Sequence, residues 1–133
     1  MICSMQVFLS YAHGDEAFAK SLASELTSRG FSVWRDEEQV LPGDNLHLRI
    51  GSALAKSKAM IVLVSPESMS SPYVRSEIDY ALGNPNYEGR LFPVQVRPTQ
   101  EIPWILRSLK GFTASQGARK ISQSIADALS QVA

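Results

Sequence analysis

The sequence has 133 residues, 44% of them hydrophobic, which suits one domain (residues 1–133) with a buried core. Its 13 basic and 13 acidic residues give a formal net charge of +0, so no nucleic-acid partner is expected. The single cysteine, Cys3, excludes a disulfide framework. The sequence shows neither a signal-peptide pattern nor a long apolar run, so we expect a cytoplasmic protein without a membrane partner.

Short apolar runs rich in β-branched and aromatic residues alternate with amphipathic segments along the chain. The runs predict strands at 5–11, 31–35, 59–65 and 90–96, with a short fifth strand at 110–114. The run at 59–65 is apolar on both faces, which is typical of a strand in the middle of a parallel sheet. Pro93 favours a position near a sheet edge or an irregularity for the fourth strand.

The amphipathic segments predict helices over 15–30, 44–57, 70–82 and 117–133, with one helical turn within 97–109. Apolar residues at helical spacing define their inward faces: Phe18, Leu22 and Leu26; Leu46, Ile50, Ala53 and Leu54; Val74, Ile78, Ala81 and Leu82; and Ile121, Ile125, Leu129 and Val132. The predicted N-caps of the first three helices are Asp15, Asp44 and either Ser70 or Ser71. Pro72 suits the first turn of the third helix, and Gly30 marks the end of the first.

This strict alternation of strands and helices predicts a parallel sheet with helices on both faces. In such sheets ligands bind beyond the carboxyl ends of the strands, near a topological switch point. The rule points to three stretches: SYAHGDE (10–16), RDEEQVLPGDN (35–45) and SPESMSSPYVRSE (65–77). Glu77 lies one residue before Ile78, about 100° round the helix, and so at the edge of the inward face.

Several familiar site motifs are missing from these stretches. The turn after the first strand has only Gly14, so neither a dinucleotide-binding glycine cradle nor a P-loop is present. The third strand ends in Ser65, which argues against a phosphoacceptor aspartate. His13, His47 and one cysteine make no metal-ligand spacing, and no G-x-S-x-G elbow occurs.

The remaining candidates are aromatic and polar residues around Glu77. Tyr73 lies one helical turn before Glu77, so the two side chains project from one side of the helix. An aromatic ring beside a carboxylate can bind a flat cationic heterocycle. Each candidate also has a structural alternative: Glu77 as a solvated carboxylate, Tyr73 and Trp34 as packing residues, and His13 as a surface histidine.

Residues 7–82 resemble a TIR (Toll/interleukin-1 receptor) domain of the type common in bacteria and plants. FLSY (8–11) is similar to the first box of that family, and WRDEEQVLPGDN (34–45) is similar to its BB loop. VLVSPESMSSPYVRSEIDYAL (62–82) is similar to the segment that holds the family's catalytic glutamate. LFPVQV (91–96) and the region of Trp104 also fit, so the resemblance covers nearly the whole chain.

The resemblance implies a flavodoxin-like, three-layer α/β sandwich with a mainly parallel five-stranded sheet. It also implies an enzyme that cleaves NAD+ between nicotinamide and ribose, with Glu77 as catalytic residue and no cofactor. The product is either ADP-ribose or a cyclic ADP-ribose isomer. The substrate-binding residues implied are Ser10, Tyr11, Ala12, His13, Trp34, Asp36 and Tyr73. Tyr73 stands where the family more often has tryptophan, and Ala12 and His13 stand where some members have a basic residue.

The BB-loop resemblance further implies self-association through TIR–TIR contacts, with an assembly loop formed by Val40, Leu41, Pro42, Gly43 and Asp44. A role in prokaryotic immune or cell-death signalling is implied, with a separate effector or activator protein as a further partner. The alternative is a non-enzymatic TIR–TIR interaction module, or a mimic of host TIR signalling. Glu77 favours the enzyme, because scaffold-type members often lack this glutamate.

Overall fold

Five parallel strands form one sheet in a computed structural model, which describes residues 5–35, 43 and 46–132. The sheet order is β2-β1-β3-β4-β5. The strands are β1 (Gln6–Ser10), β2 (Ser32–Arg35), β3 (Ala59–Val64), β4 (Leu91–Gln95) and β5 (Phe112–Thr113). All four pairings are parallel, so the predicted strands and the flavodoxin-like fold class are confirmed. Because β2 and β3 lie on opposite sides of β1, the topological switch point falls between β1 and β3.

Helices connect these strands at each of the predicted segments. They are α1 (Glu16–Ser28), α2 (Leu46–Lys56), α3 (Pro66–Met69), α4 (Pro72–Leu82), α5 (Trp104–Arg107) and α6 (Ala118–Val132). The short helix α3 was not predicted, because its residues lie within a predicted ligand loop. Within the described residues, no helix is both long enough and apolar enough to cross a lipid bilayer.

Two apolar clusters lie on opposite faces of the sheet, as in a three-layer sandwich. On one face α1 and α6 pack against each other and against the odd-numbered side chains of β1 and β3, among them Leu9 and Ile61. On the other face α2 and α4 cover the even-numbered side chains, such as Phe8 and Val62. All six residues of β3 are buried, which confirms its predicted central place.

One local prediction about helix residues is wrong. Leu82 was placed on the inward face of α4 but is 41% exposed, whereas Val74, Ile78 and Ala81 are buried. Eight residues after Val74 the helix has turned about 80° beyond two full turns, and this drift carries Leu82 off the buried stripe. Asp15 occupies the N-cap position of α1, as predicted, although its side chain makes no cap hydrogen bond.

Pro93 and Gly30 lie where their backbone properties suggest. Pro93 pairs with Val62 of β3, and the two-residue edge strand β5 begins to pair only at Val94. Pro93 is therefore close to the sheet edge, as predicted. Gly30 has a φ of +95° and follows the end of α1 at Ser28, which agrees with its predicted role as a helix stop.

Candidate active site

Glu77 is a buried carboxylate on the second turn of α4. The helix starts at Pro72, after Ser71, whose hydroxyl oxygen accepts a hydrogen bond from the backbone N–H of Val74. Glu77 is only 2% exposed, so the edge of the inward face on which the helical spacing placed it is covered by the rest of the protein. A buried carboxylate needs polar partners because its desolvation is costly.

Ser10 supplies one such partner from the end of β1. Its side chain is fully buried, and its hydroxyl donates a 2.6 Å hydrogen bond to Oε1 of Glu77. The hydrogen bond satisfies one oxygen of the buried carboxyl group. The pair joins the carboxyl end of the central strand β1 to α4, and it fixes the orientation of the carboxylate.

A groove of about 500 Å³ opens beside this carboxylate, between α2 and α4. This volume is within the range of small-molecule sites. Among the described residues, most of its lining is apolar or aromatic, and Glu77 is the one acidic lining residue. The lining residues are Ile50, Leu54, Pro72, Tyr73, Ser76, Glu77 and Tyr80. Glu77 is thus shielded from bulk water and yet faces a space that a ligand could occupy.

Chemistry, and not size, distinguishes this groove from a cavity beside β5. A cavity of about 560 Å³ lies beside β5, but the residues that line it include no carboxylate. The groove between α2 and α4 combines a carboxylate with partly exposed aromatic rings. Tyr73 is 49% exposed and Tyr80 is 39% exposed. This combination suits a flat ligand that carries positive charge.

Two aromatic residues predicted to bind substrate lie elsewhere. Trp34 is 8% exposed and stacks on Phe8, with ring centroids 5.0 Å apart and an interplanar angle of 20°. Tyr11 belongs to the apolar cluster on the opposite face of the sheet, beneath α1 and α6. Neither residue is part of the groove lining.

The residues just after Tyr11 also lie away from the groove. Ala12 is half-buried. His13 is exposed, and its Nδ1 lies 3.8 Å from a carboxylate oxygen of Glu16; the two form an ion pair only when the histidine is protonated. Gly43 is exposed with a φ of +92°. The other predicted residues lie outside the described part of the chain: Asp36, Val40, Leu41, Pro42 and Asp44.

A second polar cluster, missed by the sequence analysis, occupies the switch point between β1 and β3. Asp15 is 3% exposed and accepts hydrogen bonds from Ser65 Oγ at 2.5 Å and from Arg97 Nη2 at 2.8 Å. Arg97 also pairs with Glu67 on α3. The cluster therefore ties together the segments that follow β1, β3 and β4.

The charges within this cluster stabilise one another. The hydrogen bond from Arg97 holds the pKa of the Glu67 carboxyl below its usual value. The hydrogen bonds to Glu67 and Asp15 raise the pKa of Arg97. The cluster shares no residue with the described lining of the α2–α4 groove. The topological rule alone could have located this cluster, since all three strands end at one edge.

Comparison with known proteins agrees with this fold. The family profile described as "TIR domain" matches residues 7–130. The "NAD(+) hydrolase TcpA" of Theionarchaea archaeon (strain DG-70-1) is 40% identical over 74 residues, which are 55% of this chain and 22% of TcpA. The "2' cyclic ADP-D-ribose synthase AbTIR" of Acinetobacter baumannii (strain 1295743) is 35% identical over 74 residues, 55% of this chain and 28% of AbTIR. The matched segment therefore spans less than a third of either relative.

Solved structures share the architecture over most of the chain. The TIR domain of the Toll-related receptor TRR-2 from Hydra magnipapillata superposes with a TM-score of 0.75 at 19% identity, covering 92% of this chain and 97% of that one. A metazoan TIR-STING receptor from C. gigas gives a TM-score of 0.73 at 26% identity, over 90% of this chain and 38% of the receptor. The profile match over residues 7–130 and the shared fold show that this chain belongs to the TIR domain family.

Proposed function

We propose that this chain cleaves NAD+ at the bond between nicotinamide and ribose, with Glu77 as the catalytic residue. The observation that carries the proposal is the buried Glu77 carboxylate, held by Ser10 and facing the α2–α4 groove. Relatives named as an NAD(+) hydrolase and as a 2' cyclic ADP-D-ribose synthase support this chemistry. They match only about half of this chain, so the activity is a proposal for the chain as a whole.

A single carboxylate is sufficient for this reaction. Nicotinamide leaves NAD+ as a neutral molecule, taking the bonding electron pair, so it needs no general acid. The anomeric carbon of the ribose becomes positively charged in the transition state, and a fixed anion beside it lowers the barrier. Ser10 orients the Glu77 carboxylate before the reaction, so little reorganisation is needed in the transition state.

The product depends on which nucleophile reaches the anomeric carbon. Attack by water gives ADP-ribose and releases one proton to solvent. Attack by a hydroxyl or an adenine nitrogen of the same molecule gives a cyclic ADP-ribose isomer, also with loss of a proton when a hydroxyl attacks. Relatives named for both outcomes occur at similar identity, 40% and 35%, so both products belong to the proposal.

We further propose that activity depends on self-association. The BB-loop resemblance places the predicted assembly loop just before α2, one of the two helices that form the groove. Assembly-dependent consumption of NAD+ would suit the role in prokaryotic immune or cell-death signalling that the resemblance implies.

The test is to follow nicotinamide release from NAD+ by chromatography, at low and at high protein concentration. We expect Glu77→Gln to lower the rate by about 100-fold or more, because it keeps the shape of the side chain but removes its charge. Asp79→Asn is the matched control, since Asp79 is an exposed carboxylate on the same helix. It should leave the rate unchanged.

Two results would contradict the proposal. One is equal activity of wild type and Glu77→Gln, which would place the catalytic group elsewhere. The other is a wild-type protein without activity at every concentration, which would favour the non-enzymatic interaction module. The chromatogram also separates linear from cyclic ADP-ribose.

A further inference from the structure

Tyr80 is an aromatic member of the groove that the sequence analysis did not predict. It lines the same groove as Glu77 and is 39% exposed. Its ring meets the ring of Tyr87 edge to face, with centroids 6.2 Å apart and an interplanar angle of 83°. Edge-to-face pairs are the favoured arrangement of aromatic rings, so this contact holds Tyr80 in place.

Tyr87 in turn is anchored behind the groove. It is 2% exposed, and its hydroxyl donates a 2.6 Å hydrogen bond to the backbone carbonyl of Leu54 on α2. Leu54 is itself part of the groove lining. Tyr87 therefore links the two walls of the groove, and the ring it supports is positioned before any ligand arrives.

Tyr73 and Tyr80 flank Glu77 along the helix. They are seven residues apart, so they are separated by about 20° around the helix and by about 10 Å along its axis. Glu77 lies between them, one turn from each. A ligand bound over the carboxylate thus has an aromatic side chain on either side of it.

We infer that Tyr80 is a second aromatic contact, beside Tyr73, for a quaternary pyridinium cation bound in this groove. The inference deepens the proposed function and rests on it, because the nicotinamide ring of NAD+ is such a cation. Aromatic rings and a carboxylate both attract a desolvated cation. Once the glycosidic bond breaks, nicotinamide is neutral and loses both attractions, so the groove favours substrate over this product.

Binding of two small ligands tests the inference without catalysis. The N-methylnicotinamide cation, methylated on the ring nitrogen, mimics the reactive ring of NAD+, and neutral nicotinamide is its uncharged counterpart. Both are titrated by NMR into wild type, Tyr80→Leu and Tyr80→Phe. Leu82→Ala is the matched control, because Leu82 is a partly exposed apolar residue of the same helix outside the groove lining.

We expect wild type to bind the cation more tightly than nicotinamide. Tyr80→Leu should weaken binding of the cation by about two- to five-fold and that of nicotinamide by less than about two-fold. Tyr80→Phe and Leu82→Ala should bind both ligands as wild type does. With NAD+ as substrate, Tyr80→Leu should raise KM by a similar factor and leave kcat nearly unchanged.

Three outcomes would overturn the inference: no binding of the cation to wild type, unchanged binding in Tyr80→Leu, or an equal loss for both ligands. Its failure is distinguishable from that of the proposed function. Selective binding of the cation without NAD+ cleavage would keep the site and reject the enzyme. Cleavage that requires Glu77 but is indifferent to Tyr80 would keep the enzyme and reject the role of Tyr80.

Discussion

The hydroxyl of Ser10 lies 2.6 Å from Oε1 of Glu77, although 67 residues separate them in the sequence. Both side chains are buried, so the hydrogen bond is protected from competition by water. One partner ends a central strand and the other lies on a helix packed against the sheet. The candidate carboxylate is therefore positioned by the fold itself, and not only by its own helix.

We predict that Ser10→Ala lowers kcat for NAD+ cleavage by about ten-fold, because the carboxylate loses the group that orients it. KM should change little, since Ser10 does not line the groove. The variant should also lose about 1–2 kcal/mol of stability, because a buried carboxylate oxygen loses a donor. Steady-state kinetics and chemical denaturation measure the two effects separately.

Ser65→Ala is the matched control for this variant. Ser65 is another fully buried serine at the end of a central strand, but its hydroxyl donates to Asp15. It should destabilise the protein at least as much as Ser10→Ala while leaving the activity of the folded protein unchanged. If the two variants lose activity in proportion to their stability, Ser10 has no positioning role.

The fold was predictable because its signals are local. The six buried apolar residues of β3 follow one another in the sequence, and they identify a central strand without any partner being known. The alternation of strands and helices then restricts the topology to a parallel sheet with helices on both faces. Leu82 shows the limit of this reasoning, since helical spacing does not tell where the core ends.

The site was only partly predictable, because its contacts join distant segments. Helical spacing related Tyr73 to Glu77, but nothing local shows that Glu77 is buried against Ser10. Tyr80 follows Tyr73 by seven residues, a spacing that also puts the two on one side of the helix, but only the groove between α2 and α4 shows that both can contact a ligand. The family resemblance implied that Trp34 binds substrate, whereas its ring stacks on Phe8 within the core.

Glu67 gives the protein a defined response to acid. Its carboxyl pKa lies below the usual 4.5 because Arg97 donates a hydrogen bond to it. A depressed pKa in the folded state stabilises the fold above the unfolded-state pKa, and this contribution is lost as the pH falls through the folded-state pKa. Wild type should therefore be more stable than Glu67→Gln at neutral pH, with a difference that shrinks below about pH 4.5.

Chemical denaturation at neutral pH and at a series of lower pH values checks this expectation. Glu88→Gln, which removes another exposed carboxylate, is the control for net charge. High salt should also reduce the effect of Glu67→Gln, because both Glu67 and Arg97 are nearly half-exposed and their attraction is screened. A stability difference that is the same at every pH would show that the ion pair does not contribute.

Tyr87 should respond to alkali in the opposite sense. Burial raises the pKa of its phenol to about 12 from the usual 10.0. A raised pKa means that the folded state holds the proton more tightly, so the stabilisation is complete below pH 10 and is lost as the pH rises towards 12. Tyr87→Phe has no proton to lose and should show a weaker decline in stability over this interval.

At neutral pH the same variant should be less stable than wild type by about 1–2 kcal/mol, because the carbonyl of Leu54 loses a buried donor. The phenylalanine ring keeps the edge-to-face contact with Tyr80, so the groove should retain its affinity for the N-methylnicotinamide cation. Denaturation curves at neutral and alkaline pH, together with the NMR titration, measure both expectations. An alkaline decline in stability of equal size in wild type and Tyr87→Phe would mean that another group titrates. Loss of cation binding in Tyr87→Phe would mean that the hydroxyl, as well as the ring, is needed to hold the two walls of the groove in place.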